Sequence, residues 1–271
     1  MNRREAEKAT TRLLDVMDTL RRECPWDREQ TFDTLRNNTI EETYELADAI
    51  TDKNMEGIKE ELGDLLLHVV FYSKLGEEQG AFDYTEVANG VCDKLIYRHP
   101  HVFSSAEVGD AEDVIKQWEM LKTKEKDGNK TVLSGVPDGL PPLLKAYRMQ
   151  DKARGVGFDW EKKEDVWEKV KEEMGEYQAE LDAMAAAQTD EEKAAAFDRA
   201  EDELGDFLFA TVNAARLYGL NPDTALERTC AKFRRRFTYL EEQTIRKGRN
   251  LKDMTLAEMD AIWDEGKAKG L

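Results

Sequence analysis

The sequence predicts an all-α protein made of two tandem helical bundles. Three observations carry that prediction. Long Glu/Lys/Ala/Leu stretches place apolar residues at helical spacing and are rich in strong helix formers. Only six prolines interrupt 271 residues. An ordered series of acidic, basic and tryptophan positions also occurs twice along the chain, as in a duplicated unit. A chain of this length can bury a sizeable core in one large domain or two small ones.

The elements follow in order. Residues 5–22 read as a helix with Leu13, Leu14, Met17 and Leu20 on one side, ending in a loop at Cys24-Pro25-Trp26-Asp27. A helix from about 33 to 50 carries Glu41, Glu42 and Glu45. The next, from about 55 to 78, carries Glu61 and Asp64; its centre, Leu65 to Phe71, is apolar nearly all round and so should be buried. Asp83 and Glu86 form a capping-box pattern for a helix ending near Arg98, before Pro100. A further helix over about 110–125 holds Trp118. The Gly- and Pro-containing stretch 127–142 reads as a linker, between an N-terminal domain at 1–126 and a C-terminal domain at 143–271. Beyond it come a helix from about 143, the loop Gly155 to Trp160, and a helix from about 164 to 185. Thr189 with Glu192 caps a long helix to Tyr218. Asn221-Pro222 opens the next, and Thr255 with Glu258 caps a last helix bearing Trp263.

Charge narrows the function classes. With 40 Lys+Arg against 58 Asp+Glu, the net charge is −18, the wrong sign for non-specific binding to nucleic acid or anionic membrane. Three scattered cysteines without C-x-x-C spacing, no apolar signal core at the N-terminus and no spanning run point to a soluble, cytoplasmic protein. There is no Walker-type glycine loop, no G-x-S-x-G elbow and no plausible Cys/His pair, which disfavours nucleophilic catalysis by a side chain.

The acids carry the chemistry. Glu172-Glu173-x-x-Glu176 and Glu203-Leu204-Gly205-Asp206 restate Glu41-Glu42-x-x-Glu45 and Glu61-Leu62-Gly63-Asp64. On two antiparallel helices, Glu173, Glu176, Glu203 and Asp206 share a small volume, as do Glu42, Glu45, Glu61 and Asp64. Like charges that close repel, and divalent cations would resolve the conflict. All these donors are hard oxygens, which favours Mg²⁺, with Mn²⁺ as a substitute. A ferritin-type di-iron site would need Glu-x-x-His on two helices, and His68, His99 and His101 do not supply it. His68 reads as a core or surface histidine, since its counterpart is Ala210. Glycine inside a helix is costly, so Gly63 and Gly205 read as points of close approach for a facing helix or a ligand. The acid spacing is 16 residues in the first copy and 27 in the second, so the second carries a longer connection near Ala185–Lys193.

Lys94, Arg98 and Trp118 correspond to Lys232, Arg236 and Trp263, but only the second copy has the dense basic run Lys232-Phe233-Arg234-Arg235-Arg236. Lysine and arginine there suit phosphate oxygens. The second copy also has Lys169 where the first has Asn38, so the main chemistry is expected in the C-terminal half.

At these residues the chain resembles the MazG family of nucleoside triphosphate pyrophosphohydrolases. Cys24 to Thr31, Arg98 to Phe103 and Val156 to Trp160 resemble family signatures as well. The resemblance implies bundles of the all-α pyrophosphohydrolase type, a homo-oligomer such as a dimer, and Mg²⁺-dependent hydrolysis of nucleoside triphosphates to monophosphate and pyrophosphate with broad base tolerance. On that reading Glu173, Glu176, Glu203 and Asp206 hold the metal, and Glu172 acts as base or orients water. Lys169, Lys232, Arg235 and Arg236 bind phosphates, and Trp263 covers base or ribose. The alternatives are a narrower enzyme acting on dUTP or phosphoribosyl-ATP, or a non-catalytic nucleotide-binding scaffold.

Overall fold

Each half of the chain is organised around one antiparallel helix hairpin, and side-chain caps start three of the four hairpin helices. The computed structural model describes residues 2–104, 109–110, 114, 117–118, 121, 131–246 and 248–271. Among these there is no strand, and no helix is long and apolar enough to cross a membrane. The chain divides into two compact units, Met1–Asp110 and Ala111–Leu271.

In the first unit, α1 (Arg3–Glu23) is followed by α2 (Pro25–Glu29), α3 (Phe32–Thr51), α4 (Met55–Glu78), α5 (Tyr84–Arg98) and α6 (Pro100–Phe103). The expected loop at Cys24–Asp27 is in fact the start of α2. Pro25 sits at its first position, where its ring presets φ and its missing N–H costs nothing. Thr31 starts α3 through a capping box with Thr34, and the Asn54 side chain accepts from Gly57 N–H to start α4. The α3–α4 hairpin packs beneath α1 on a core of Met17, Leu35, Val70, Phe71 and Leu75. Arg21 closes this layer with two bonds to the Glu78 carboxylate, at 2.9 and 2.5 Å.

In the second unit, α7 (Pro142–Gly155) precedes α8 (Val166–Ala186), α9 (Asp190–Leu217), α10 (Pro222–Arg246) and α11 (Leu256–Ala268). The α8–α9 hairpin is the counterpart of α3–α4. Val166, Val170, Ala210 and Ala214 form its core, and the α9 capping box pairs Thr189 with Glu192. Most of the helix expected over 110–125 lies outside the described residues, although Val114, Gln117, Trp118 and Leu121 are helical. The expected linker likewise begins outside them, and its last residue, Pro142, is already the first of α7.

Three expectations need correction. The extra residues of the second copy are helix, not connection. α8 runs ten residues past Glu176 where α3 runs six past Glu45, and α9 starts thirteen before Glu203 where α4 starts six before Glu61. The turn stays at three residues in both hairpins, because Ala and Glu propagate a helix and Thr189 fixes where the second one begins. Second, α4 is not buried all round: Leu62 and Leu66 are 52% and 46% exposed, because a single hairpin under α1 covers only one side of it. Third, of the two approaches expected at Gly63 and Gly205, that of a facing helix does not occur among the described residues: a Cβ at either would meet nothing within 4 Å, since both lie on the uncovered side of their hairpins.

Candidate metal centre

Helical spacing puts Glu173 and Glu176 on one side of α8, and Glu203 comes to meet them from α9. One carboxylate oxygen from each of the three lies within 4.8 Å of the others. Unit 1 repeats this with Glu42, Glu45 and Glu61. Asp206 and Asp64, expected as fourth members, stand outside these 4.8 Å groups. Asp64 is still close enough for its charge to act on both Glu42 and Glu61.

The electrostatics match the crowding. Lost solvation, then the charges of Glu173, Glu203 and Glu172, push the Glu176 carboxyl up. Lost solvation and then Asp64, Glu45, Glu61 and Glu41 push up Glu42. Glu61 is raised by lost solvation and by Glu45, Glu60 and Asp64, partly offset by its hydrogen bond with Glu42. Three clustered carboxylates, offering only oxygen donors, suit a hard divalent cation. Such an ion would be held by Glu173, Glu176 and Glu203 in unit 2, and by Glu42, Glu45 and Glu61 in unit 1.

The two copies differ in what surrounds the acids. Lys169, one turn before them on α8, sets its ammonium 2.6 Å from Glu173 and 2.9 Å from Glu172. Those two bonds push the Lys169 pKa up. Behind the unit 1 acids lies a polar chain: Thr39 Oγ1 is 3.0 Å from His68 Nδ1 and 2.6 Å from the Tyr72 hydroxyl. His68 is buried, and burial lowers its pKa against the opposing effect of Asp64. The same register positions in unit 2 are Val170, Ala210 and Ala214, all in the apolar core.

Lys169 apart, no ion pair among the described residues joins Lys232, Arg235 or Arg236 to the acids. Lys232 and Arg235 are exposed on α10. Arg236 donates from Nε to the Leu271 carbonyl at 2.7 Å, and its guanidinium lies 5.9 Å over the Trp263 ring. Trp263 is half-buried, with its ring 5.1 Å from that of Phe233.

One pairing escaped the sequence reading. Arg216, with its side chain 5% exposed, binds both oxygens of Asp159, at 3.0 and 2.5 Å, and also Asn213. Together with the positive φ of Gly157 (87°), this explains Val156-Gly157-Phe158-Asp159-Trp160 as a loop pinned to α9. The signal was present in the repeat: Arg216 occupies the position of Lys74, which ties α4 to Asp18 of α1 at 2.7 Å.

The MazG nucleotide pyrophosphohydrolase domain model matches residues 30–103 and 161–240, the two stretches that contain the acid trios. The chain belongs to the MazG family. It is 39% identical over 261 residues to the Escherichia coli K12 nucleoside triphosphate pyrophosphohydrolase, covering 94% of this chain and 96% of that protein. Over 262 residues it is 39% identical to the nucleoside triphosphate pyrophosphohydrolase/pyrophosphatase MazG of Thermotoga maritima, covering 95% and 94%. An uncharacterized Bacillus subtilis protein, YabN, is 44% identical over 245 residues, which are 90% of this chain but 48% of that one. As a MazG protein the chain is a metal-dependent hydrolase, and each hairpin lies within one of the two segments that match the family.

Proposed function

We propose that this protein hydrolyses nucleoside triphosphates to monophosphate and pyrophosphate with Mg²⁺, or Mn²⁺ in its place. It accepts many bases and clears the cytoplasmic nucleotide pool. The observation that carries this reading is the carboxylate trio repeated in both family domains, its oxygens within 4.8 Å. The metal, when bound, polarises phosphoryl oxygens and neutralises their charge.

The chain's own residues do the rest. Glu173, Glu176 and Glu203 hold the ion, with Asp206 completing the set around substrate and water; Glu42, Glu45, Glu61 and Asp64 do so in unit 1. Glu172 takes a proton from, or orients, the attacking water. The water oxygen bonds to the α-phosphorus as the bond to the bridging oxygen of pyrophosphate breaks, and pyrophosphate leaves with those electrons. Lys169, Lys232, Arg235 and Arg236 stabilise the phosphates. Arg236 and Trp263 form one surface, which covers the base or ribose without reading base identity. The main catalytic domain is 143–271, joined through a linker at 127–142 to a weaker or regulatory N-terminal domain. The working form is a homodimer in which a second copy covers the bare side of α4. Nucleic acid and membrane are not partners, given the net charge of −18.

Incubation with each triphosphate and Mg²⁺ tests the reaction. Monophosphate plus pyrophosphate is expected from several bases; diphosphate plus phosphate would overturn attack at the α-phosphorus. Turnover of dUTP alone would reduce the reading to a narrow-specificity enzyme.

A further inference from the structure

The duplicated hairpin supplies an internal reference for one difference. In unit 2 the acids already have a cation: the Lys169 ammonium stands 2.6 Å from Glu173, a residue only 6% exposed. In unit 1 the same position is Asn38, and among the described residues no lysine or arginine pairs with Glu42, Glu45 or Glu61.

Lys169 is poorly placed for helix stability. It lies in the first turn of α8, where the helix dipole disfavours a positive charge. It also precedes its glutamates, the weaker order for an i,i+4 pair. Its consequence is felt at the trio. A divalent ion that reaches Glu173 must displace the ammonium or sit beside a like charge, and either weakens binding. A triphosphate arriving with the ion reverses this, because its oxygens give the lysine a new anionic partner.

We propose that the two trios load differently. Unit 1 takes a divalent cation by itself. Unit 2 takes one only together with a triphosphate, Lys169 passing from Glu173 to the phosphates as it loads. Lys169 is then the residue that couples metal to substrate, and unit 1 is a standing metal site. This rests on the reading of both trios as metal sites given above.

The full chain is titrated with Mn²⁺, and free ion is followed by electron paramagnetic resonance. Titrations are run with and without the α,β-methylene analogue of ATP, correcting for ion held by the analogue alone. Without the analogue, one site is expected, lost in E61Q and kept in E203Q. With it, a second site appears, lost in E203Q. K169M should let unit 2 take Mn²⁺ without the analogue, at least about tenfold tighter than wild type, and N38K should weaken unit 1 by about as much. Asn38 is exposed and Lys169 half-buried on its helix, and circular dichroism checks that each variant folds. Two equal sites in the wild type without the analogue, or unchanged affinities in both K169M and N38K, overturn the proposal and leave the metal-site reading standing. No Mn²⁺ at either trio under either condition overturns both.

Discussion

A buried carboxylate such as Glu173 destabilises a fold unless an opposite charge stands against it, and here Lys169 provides that charge within one turn of helix. Removing one acid of the unit 2 trio should therefore act on chemistry more than on folding. E203Q is expected to cut pyrophosphate release by about 100-fold or more, the scale on which metal-site partners act. E61Q should cost less, and equal losses in a pyrophosphate-release assay would overturn the assignment of the main chemistry to unit 2. Arg216 behaves in the opposite way. Its guanidinium has Asp159 as its carboxylate partner and is almost wholly enclosed, so D159N leaves a buried charge short of its counter-ion. The expected loss is about 3 kcal/mol of stability, read by urea unfolding, since breaking such a pair by removing one member costs roughly that much.

At the scale of elements, caps decide where helices begin. α11 opens on Thr255, whose hydroxyl accepts from Glu258 N–H, while the Glu258 carboxylate accepts from Thr255 N–H and hydroxyl and from Arg249. T255A should cost about 1 kcal/mol, measurable as a lower urea midpoint. The bond to Arg249 first, then those to Thr255, hold the Glu258 carboxyl down to about 2. A depressed carboxyl stabilises the fold above its ordinary value of 4.5 and loses that contribution as pH falls towards 2. An acid titration followed by circular dichroism should thus find wild type and E258Q separated above pH 4.5 and converging near pH 2. The hairpins show the same logic on a larger scale. Thr189 sets the start of α9, so the inserted residues lengthen both helices and leave the turn at three residues.

For the whole molecule, each unit leaves large apolar side chains uncovered. Leu62, Leu66 and Val69 of α4 remain exposed, as do Phe233 and Phe237 of α10, whose rings stack at 5.9 Å. Apolar surface of this kind is stabilised by burial against another subunit. Sedimentation equilibrium should return twice the chain mass of 31.1 kDa, and L66D should shift the population towards monomer. A wild-type chain that stays monomeric at micromolar concentration would overturn the dimer.

The sequence by itself made most of the helices and the duplication legible, and it singled out the acids that the fold gathers into trios. Helical periodicity, capping pairs and i,i+3 spacing are local properties, and two copies in one order exclude accident. It could not determine that Asp64 and Asp206 stand apart from the closest trios, because distance between helices depends on how they pack. Nor could it determine that the insertion is helical on both sides of a short turn, or that Gly63 and Gly205 lie open to space. The partner of Asp159 lies 57 residues away, and only the tertiary structure brings it there. Lys169 shows the division most clearly. Its place before the acidic pair was legible as a residue, but its role as their counter-ion follows from a 2.6 Å contact with a carboxylate that only folding buries.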